Sequence, residues 1–146
     1  MSAQHLEVLD NTLQKTHQWI DAIALDSYTD RHTAYQSLRA VLQTLRDRLP
    51  AQEAAHFSAQ LPLLIRGIFY EGYRPSEVPI TLSREEFLER IRQKIVSGRS
   101  LDPLALTRQV FTTIDGFLCE GELEKILEVL PSDFSDLLPR RGVPAI

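Results

Sequence analysis

Apolar residues recur three and four positions apart along nearly the whole chain, the spacing that lines one face of an α-helix. Leu6, Leu9, Leu13, Ile20 and Ile23 form such a stripe, with Thr16 in its polar gap and Trp19 widening it, which predicts a helix over about residues 4–25. Asp30 is placed to cap a second helix whose stripe is Tyr35, Leu38, Leu42, Leu45 and Leu49. Pro50 ends that helix and opens a shorter one buried at Ala54, Phe57 and Leu61. Pro62 repeats the device, and Gly72 is a left-handed stop for the helix that follows. Residues 74–81 hold two prolines and no periodicity and read as a connector.

Beyond the connector, Ser83 and Glu86 form a capping-box signature ahead of Phe87, Leu88, Ile91 and Ile95, and Ser97-Gly98 closes that helix. Asp102-Pro103 opens the next, carried by Leu106, Val110, Ile114 and Phe117. A short helix follows with Leu123, Ile126, Leu127 and Leu130, and Pro131 starts a last turn through Phe134, Leu137 and Leu138. Strict alternation never runs beyond a few residues, so no strand competes and the class is all-α.

The two halves resemble each other. At an offset of 69, Arg39, Val41, Thr44, Leu49, Glu53, Leu61 and Pro62 fall on Arg108, Val110, Thr113, Leu118, Glu122, Leu130 and Pro131. The apolar positions agree as well: Leu42 meets Phe111, Leu45 meets Ile114 and Phe57 meets Ile126. The expectation is one domain over residues 1–146, a bundle of two tandem pseudo-symmetric repeats. They run over about residues 4–73 and 83–138, with a connector at 74–82 and a loose tail at 139–146. The likeness stops at the segment from Arg66 to Arg74, where the first half keeps three aromatics and two glycines that the second lacks.

Composition changes this picture little. At 146 residues, 43% hydrophobic and 25% charged, the chain can bury a core. No apolar run approaches the roughly 20 residues of a membrane span, and the N-terminal MSAQHLEVLD lacks a signal peptide's basic and apolar regions. A single cysteine, Cys119, excludes an internal disulfide and suits a reducing cytoplasm. The net charge of −4 argues against a general nucleic-acid binder.

The runs RDRLP at 46–50, AQLP at 59–62 and RG-x-x-YEG at 66–72, with REEFLERI at 84–91 and GE…LP at 121–131, resemble the domain-of-unknown-function family 2267 over about residues 10–139. One departure is Tyr73, where tryptophan is more usual in the family; an aromatic is kept but an indole hydrogen bond is not. The resemblance implies an all-helical fold and a bacterial, soluble, stand-alone protein. It carries no established activity and no catalytic residues.

Little else in the sequence carries chemistry. His5, His17, His32 and His56 are scattered, and Glu53 with His56 is matched in the second half by Glu122 and Lys125, which spoils a symmetric metal pair, so no metal or cofactor is called for. Cys119 at a helix junction reads as a half-buried thiol, and no nucleophile elbow, phosphate loop or dinucleotide fingerprint is present. Arg46, Arg66 and Arg74 together with Phe69, Tyr70 and Tyr73 are the candidate site. Guanidinium forks suit anions and stack on rings, and an exposed aromatic edge suits a protein interface. The structural alternative has Arg46 paired with Asp47 or Glu71, and Gly67 closely approached by another backbone. Pro50, Pro62, Gly67, Gly72 and Pro131 carry structural roles. The function expected is a non-enzymatic module that binds a protein or itself. An anion receptor built on the arginine and tyrosine surface is the second reading, and a helix-turn-helix around Leu49-Pro50 the third.

Overall fold

A computed structural model describes residues 6–97 and 100–139; His5, Gly98 and residues 140–146 of the tail predicted to be loose lie outside the described residues. Among the described residues the fold is all-helical, with no strand. Helices α1 (Glu7–Ser27), α2 (Arg31–Arg48), α3 (Ala51–Ser58) and α4 (Leu63–Tyr70) precede the connector, which holds a 3-10 turn at Pro75–Glu77. Helices α5 (Arg84–Gln93), α6 (Pro103–Asp115) and α7 (Glu122–Glu128) and a 3-10 helix, Ser132–Leu137, follow it. The Val78–Pro79 peptide bond is cis.

Local signals set most boundaries. The Thr33 amide donates to Asp30 Oδ1 at 2.6 Å, which caps α2, and the Leu104 amide donates to Asp102 Oδ1 at 3.0 Å, which caps α6. At α5 the box closes in both directions: Glu86 N–H donates to Ser83 Oγ at 3.1 Å and Ser83 N–H to Glu86 Oε1 at 2.9 Å. Pro50, Pro62 and Pro131 all sit at the N-cap, not inside the first turn as the sequence indicated, with φ near −55° and ψ near 150°. The ring supplies that φ without cost, and its missing N–H removes a donor no helix would use. Pro62 has no capping side chain, and Thr12 of α1 fills the need by accepting the Leu64 amide at 2.8 Å. Gly72 adopts φ 74° just beyond α4, a conformation an L side chain rarely takes.

One hydrophobic cluster runs through both halves, from Trp19, Ile20 and Ile23 of α1 to Phe134 and Leu137 at the far end, with Phe57, Phe69, Phe87, Phe111 and Phe134 fully enclosed. At its centre, α2 packs against α1, α4, α5 and α6. Ala34 replaces Tyr35 as the buried residue of its first turn, and Tyr35 faces water.

The larger correction concerns α1. Its apolar stripe is buried only at Thr16, Trp19, Ile20 and Ile23, whereas Leu6, Leu9 and Leu13 are 58%, 54% and 50% exposed. Among the described residues the helices that bury its C-terminal half do not enclose its N-terminal half, so the stripe continues there with its leucines about half exposed. Phe117, expected in the core, is instead a partly exposed lid: its ring stacks on buried Trp19 with centroids 5.2 Å apart and planes 14° from parallel.

Candidate functional site

The segment from Arg66 to Arg74 lies against one polar face of α2. Arg39, Gln43 and Arg46 are spaced along that face, and each reaches the segment. Gln43 Nε2 donates to the Ile68 carbonyl at 2.9 Å, and Arg46 Nη1 donates to the Phe69 and Glu71 carbonyls at 2.9 and 2.8 Å. Arg39 donates to the Glu71 carboxylate at 3.2 Å. The last carbonyls of α4 have no helical partners of their own, and α2 supplies the donors. Arg46 is only 4% exposed; its Nε donates to Asp47 Oδ1 at 2.8 Å and its guanidinium lies 5.4 Å from the centroid of the Tyr73 ring. A buried guanidinium is stable only when so fully bonded.

Arg66 does similar work one helix earlier. It donates from Nε to the Ser58 carbonyl and from Nη2 to the Leu61 carbonyl, both at 3.0 Å, closing the C-terminus of α3. Tyr70 donates to Ser58 Oγ at 3.1 Å. The rings of Phe57, Phe69, Tyr70 and Tyr73 then run as a chain, with successive centroids 5.7, 5.0 and 5.3 Å apart. The exposed aromatic edge expected from the sequence does not form: Phe69 is fully buried, and Tyr70 and Tyr73 are half-buried. The Tyr73 hydroxyl is enclosed with no hydrogen-bond partner, and burial, then its neighbour Tyr70, pushes its ionisation above the ordinary tyrosine range. Arg74 points outward, 3.7 Å from Glu77.

The structure thus brings Arg46, Phe69, Tyr70 and Tyr73 together as one packed block and sets Arg66 and Arg74 at its edges. Gly67 is not closely approached. A Cβ built there meets nothing within 4 Å, so the expected backbone contact is corrected. It lies on the outward face of α4 with Leu63 and Leu64, which are 53% and 40% exposed. The Leu64–Thr12 bond joins that face to the uncovered half of α1. The result is a half-exposed apolar surface in which Leu63 and Leu64 accompany Leu6, Leu9 and Leu13, the three that the sequence placed on the apolar stripe of the first helix. Spacing reveals an apolar face; it does not reveal how far along the helix a neighbour extends.

Elsewhere, Cys119 is exposed, not half-buried. Among the described residues no group of three or more metal-ligating side chains converges; His56 lies 3.8 Å from Glu122 of α7. A groove of about 370 Å³ is bordered by Asp115, Glu120, Glu124 and Glu128, remote in sequence from the 66–74 segment. Near the C-terminal end Asp136 accepts from Arg84 and Arg108, each at 2.7 Å. Burial would raise its pKa, but the two arginine hydrogen bonds outweigh that and hold the carboxyl below the usual range.

An all-helical bundle that turns Arg46 and Arg66 inward onto its own backbone carbonyls defines a class by its scaffold. Residues 16–137 match the model of DUF2267, described as an uncharacterized conserved protein, and the chain belongs to that family. No curated protein matches the chain.

Proposed function

We propose that this protein is a non-enzymatic interaction module that pairs with a second copy of itself through the N-terminal half of α1. The single observation that supports the reading is the unbroken stripe Leu6–Leu9–Leu13–Thr16–Ile20–Ile23, covered in its second half and uncovered in its first. Its alternating spacing of three and four is the seam by which helices pair with helices of like pattern. A two-fold axis crossing α1 near Asn11 sets Leu9 against the partner's Leu13 and the reverse, as an isologous contact requires.

Magnitudes favour reversible pairing. Full burial of a leucine contributes about 1.5–3 kcal/mol, and each of these is already about half covered. Three leucines from each chain, with Leu63 and Leu64 beside them, therefore stand against an association cost of about 4–15 kcal/mol. That balance describes a weak, concentration-dependent dimer. The open space over Gly67 suits the close approach of a partner helix.

Arg46 and Arg66 direct their donors at backbone carbonyls, so this reading places binding outside the 66–74 block. A cytoplasmic setting accompanies it, since the single thiol of the chain is unpaired, and a bacterial one is what the family resemblance implies. Leu9→Asp and Leu13→Asp test the proposal, since both side chains are exposed and their loss leaves the core intact. Helical content should be unchanged and association abolished. Association that persists in the double variant overturns the reading.

A further inference from the structure

Helix α1, the α3–α4 junction and the turn after α6 meet around a notch of about 260 Å³. Its apolar wall is Leu61, Pro62 and the ring of Phe117, which lies stacked on the buried indole of Trp19 with centroids 5.2 Å apart. Its polar rim is Lys15, Gln18 and Gln60, and among the described residues none of these three side chains has a hydrogen-bond or ion-pair partner. No acid lines the notch. The positions three and four residues from Lys15 on α1 are Asn11, Thr12, Gln18 and Trp19, so its own helix supplies no counter-charge either. The larger groove beside α7 has the opposite rim, of carboxylates.

We infer that this notch binds a small aromatic carboxylate, its ring against Phe117 and Pro62 and its carboxylate at Lys15. The walls select the ring, because a planar ligand gains edge and face contacts with Phe117 that an aliphatic acid does not. The rim selects the charge: the Lys15 ammonium and the amide groups of Gln18 and Gln60 donate, and a bond from an ammonium to a carboxylate is among the strong ones. An apolar lining with a few convergent polar groups is the general form of a small-molecule site, and drug-sized ligands occupy roughly 300–1,000 Å³. A smaller notch suits one ring with one charged group. None of its residues is a half-exposed leucine of the α1–α4 surface, so the site does not rest on α1 pairing. It also lies outside the segment from Arg66 to Arg74, whose arginines Arg46 and Arg66 engage the backbone.

Trp19 is the only tryptophan of the chain and lines the notch, so its emission reports on what enters. Titration with phenylacetate, at ionic strength held constant with chloride, should change that emission saturably. Acetate, which lacks the ring, should change nothing, and 2-phenylethanol, which lacks the charge, should bind about tenfold more weakly. Lys15→Gln, at an exposed side chain, should weaken phenylacetate about tenfold and leave 2-phenylethanol unchanged. Lys125→Gln, at an exposed lysine of α7, should alter neither. No saturable change with phenylacetate overturns the site, as does an equal loss in Lys125→Gln or wild-type binding in Lys15→Gln. A second measurement needs no variant: NMR should show nuclear Overhauser contacts between the phenylacetate ring and the Phe117 ring, and contacts only to other residues contradict the inference.

Discussion

Arg46 Nη1 donates to the Phe69 carbonyl at 2.9 Å from a position with almost no exposure to water. One guanidinium thereby terminates α4, bonds the Glu71 carbonyl and lies over the Tyr73 ring. Arg46→Gln leaves two carbonyls and the Asp47 carboxylate without their donor, and should cost about 3 kcal/mol in denaturant unfolding. Arg46→Lys should lose nearly as much, because an ammonium cannot reproduce the fork. A neutral result for either would remove the clasp from the account.

Gly67 is a helix-interior glycine with open space where a Cβ would stand. Gly67→Ala should therefore stabilise the monomer by up to about 1 kcal/mol, read as a higher denaturant midpoint with unchanged slope. A bulky residue there, such as Gly67→Leu, should fold equally well yet weaken pairing if a partner helix approaches this face.

Tyr28 ends α1 in the left-handed region at φ 55°, with its side chain 88% exposed. It has no packing to lose, and the strain is removed when the side chain is. Tyr28→Gly should raise stability by about 1 kcal/mol in thermal or chemical unfolding.

Asp136 gives the fold an acid-side sensitivity. Its carboxyl ionises more readily folded than unfolded, so its contribution is fully present above the unfolded pKa and is lost as pH falls through the lowered folded value. Asp136→Asn should flatten the dependence of stability on pH in the acid range, measured by urea unfolding at successive pH values. Because the side chain is about half exposed, the effect should be modest.

The elements were legible because their signals are local. Asp30, the Ser83–Glu86 box, Asp102-Pro103 and the Leu-Pro breaks each act within a few residues, and the structure bears out their helix starts, with the prolines of the Leu-Pro breaks one position earlier, at the N-cap. What sequence could not give was the extent of neighbours. Leu9 and Ile20 lie on the same stripe of the same helix, yet only one meets α2 or α6. Arg46 stands out in the sequence as a candidate site residue, and only the return of α4 onto α2 shows its donors to be engaged by Asp47 and by the Phe69 and Glu71 carbonyls. Trp19 and Phe117 were both read as core, and only the stacked geometry distinguishes the buried ring from its lid.

The most direct measurement is sedimentation equilibrium of the wild-type chain from micromolar to millimolar concentration, beside Leu9→Asp/Leu13→Asp. The account predicts a reversible monomer–dimer equilibrium for the wild type and a monomer throughout for the variant. A wild-type chain that remains monomeric across that range would contradict it.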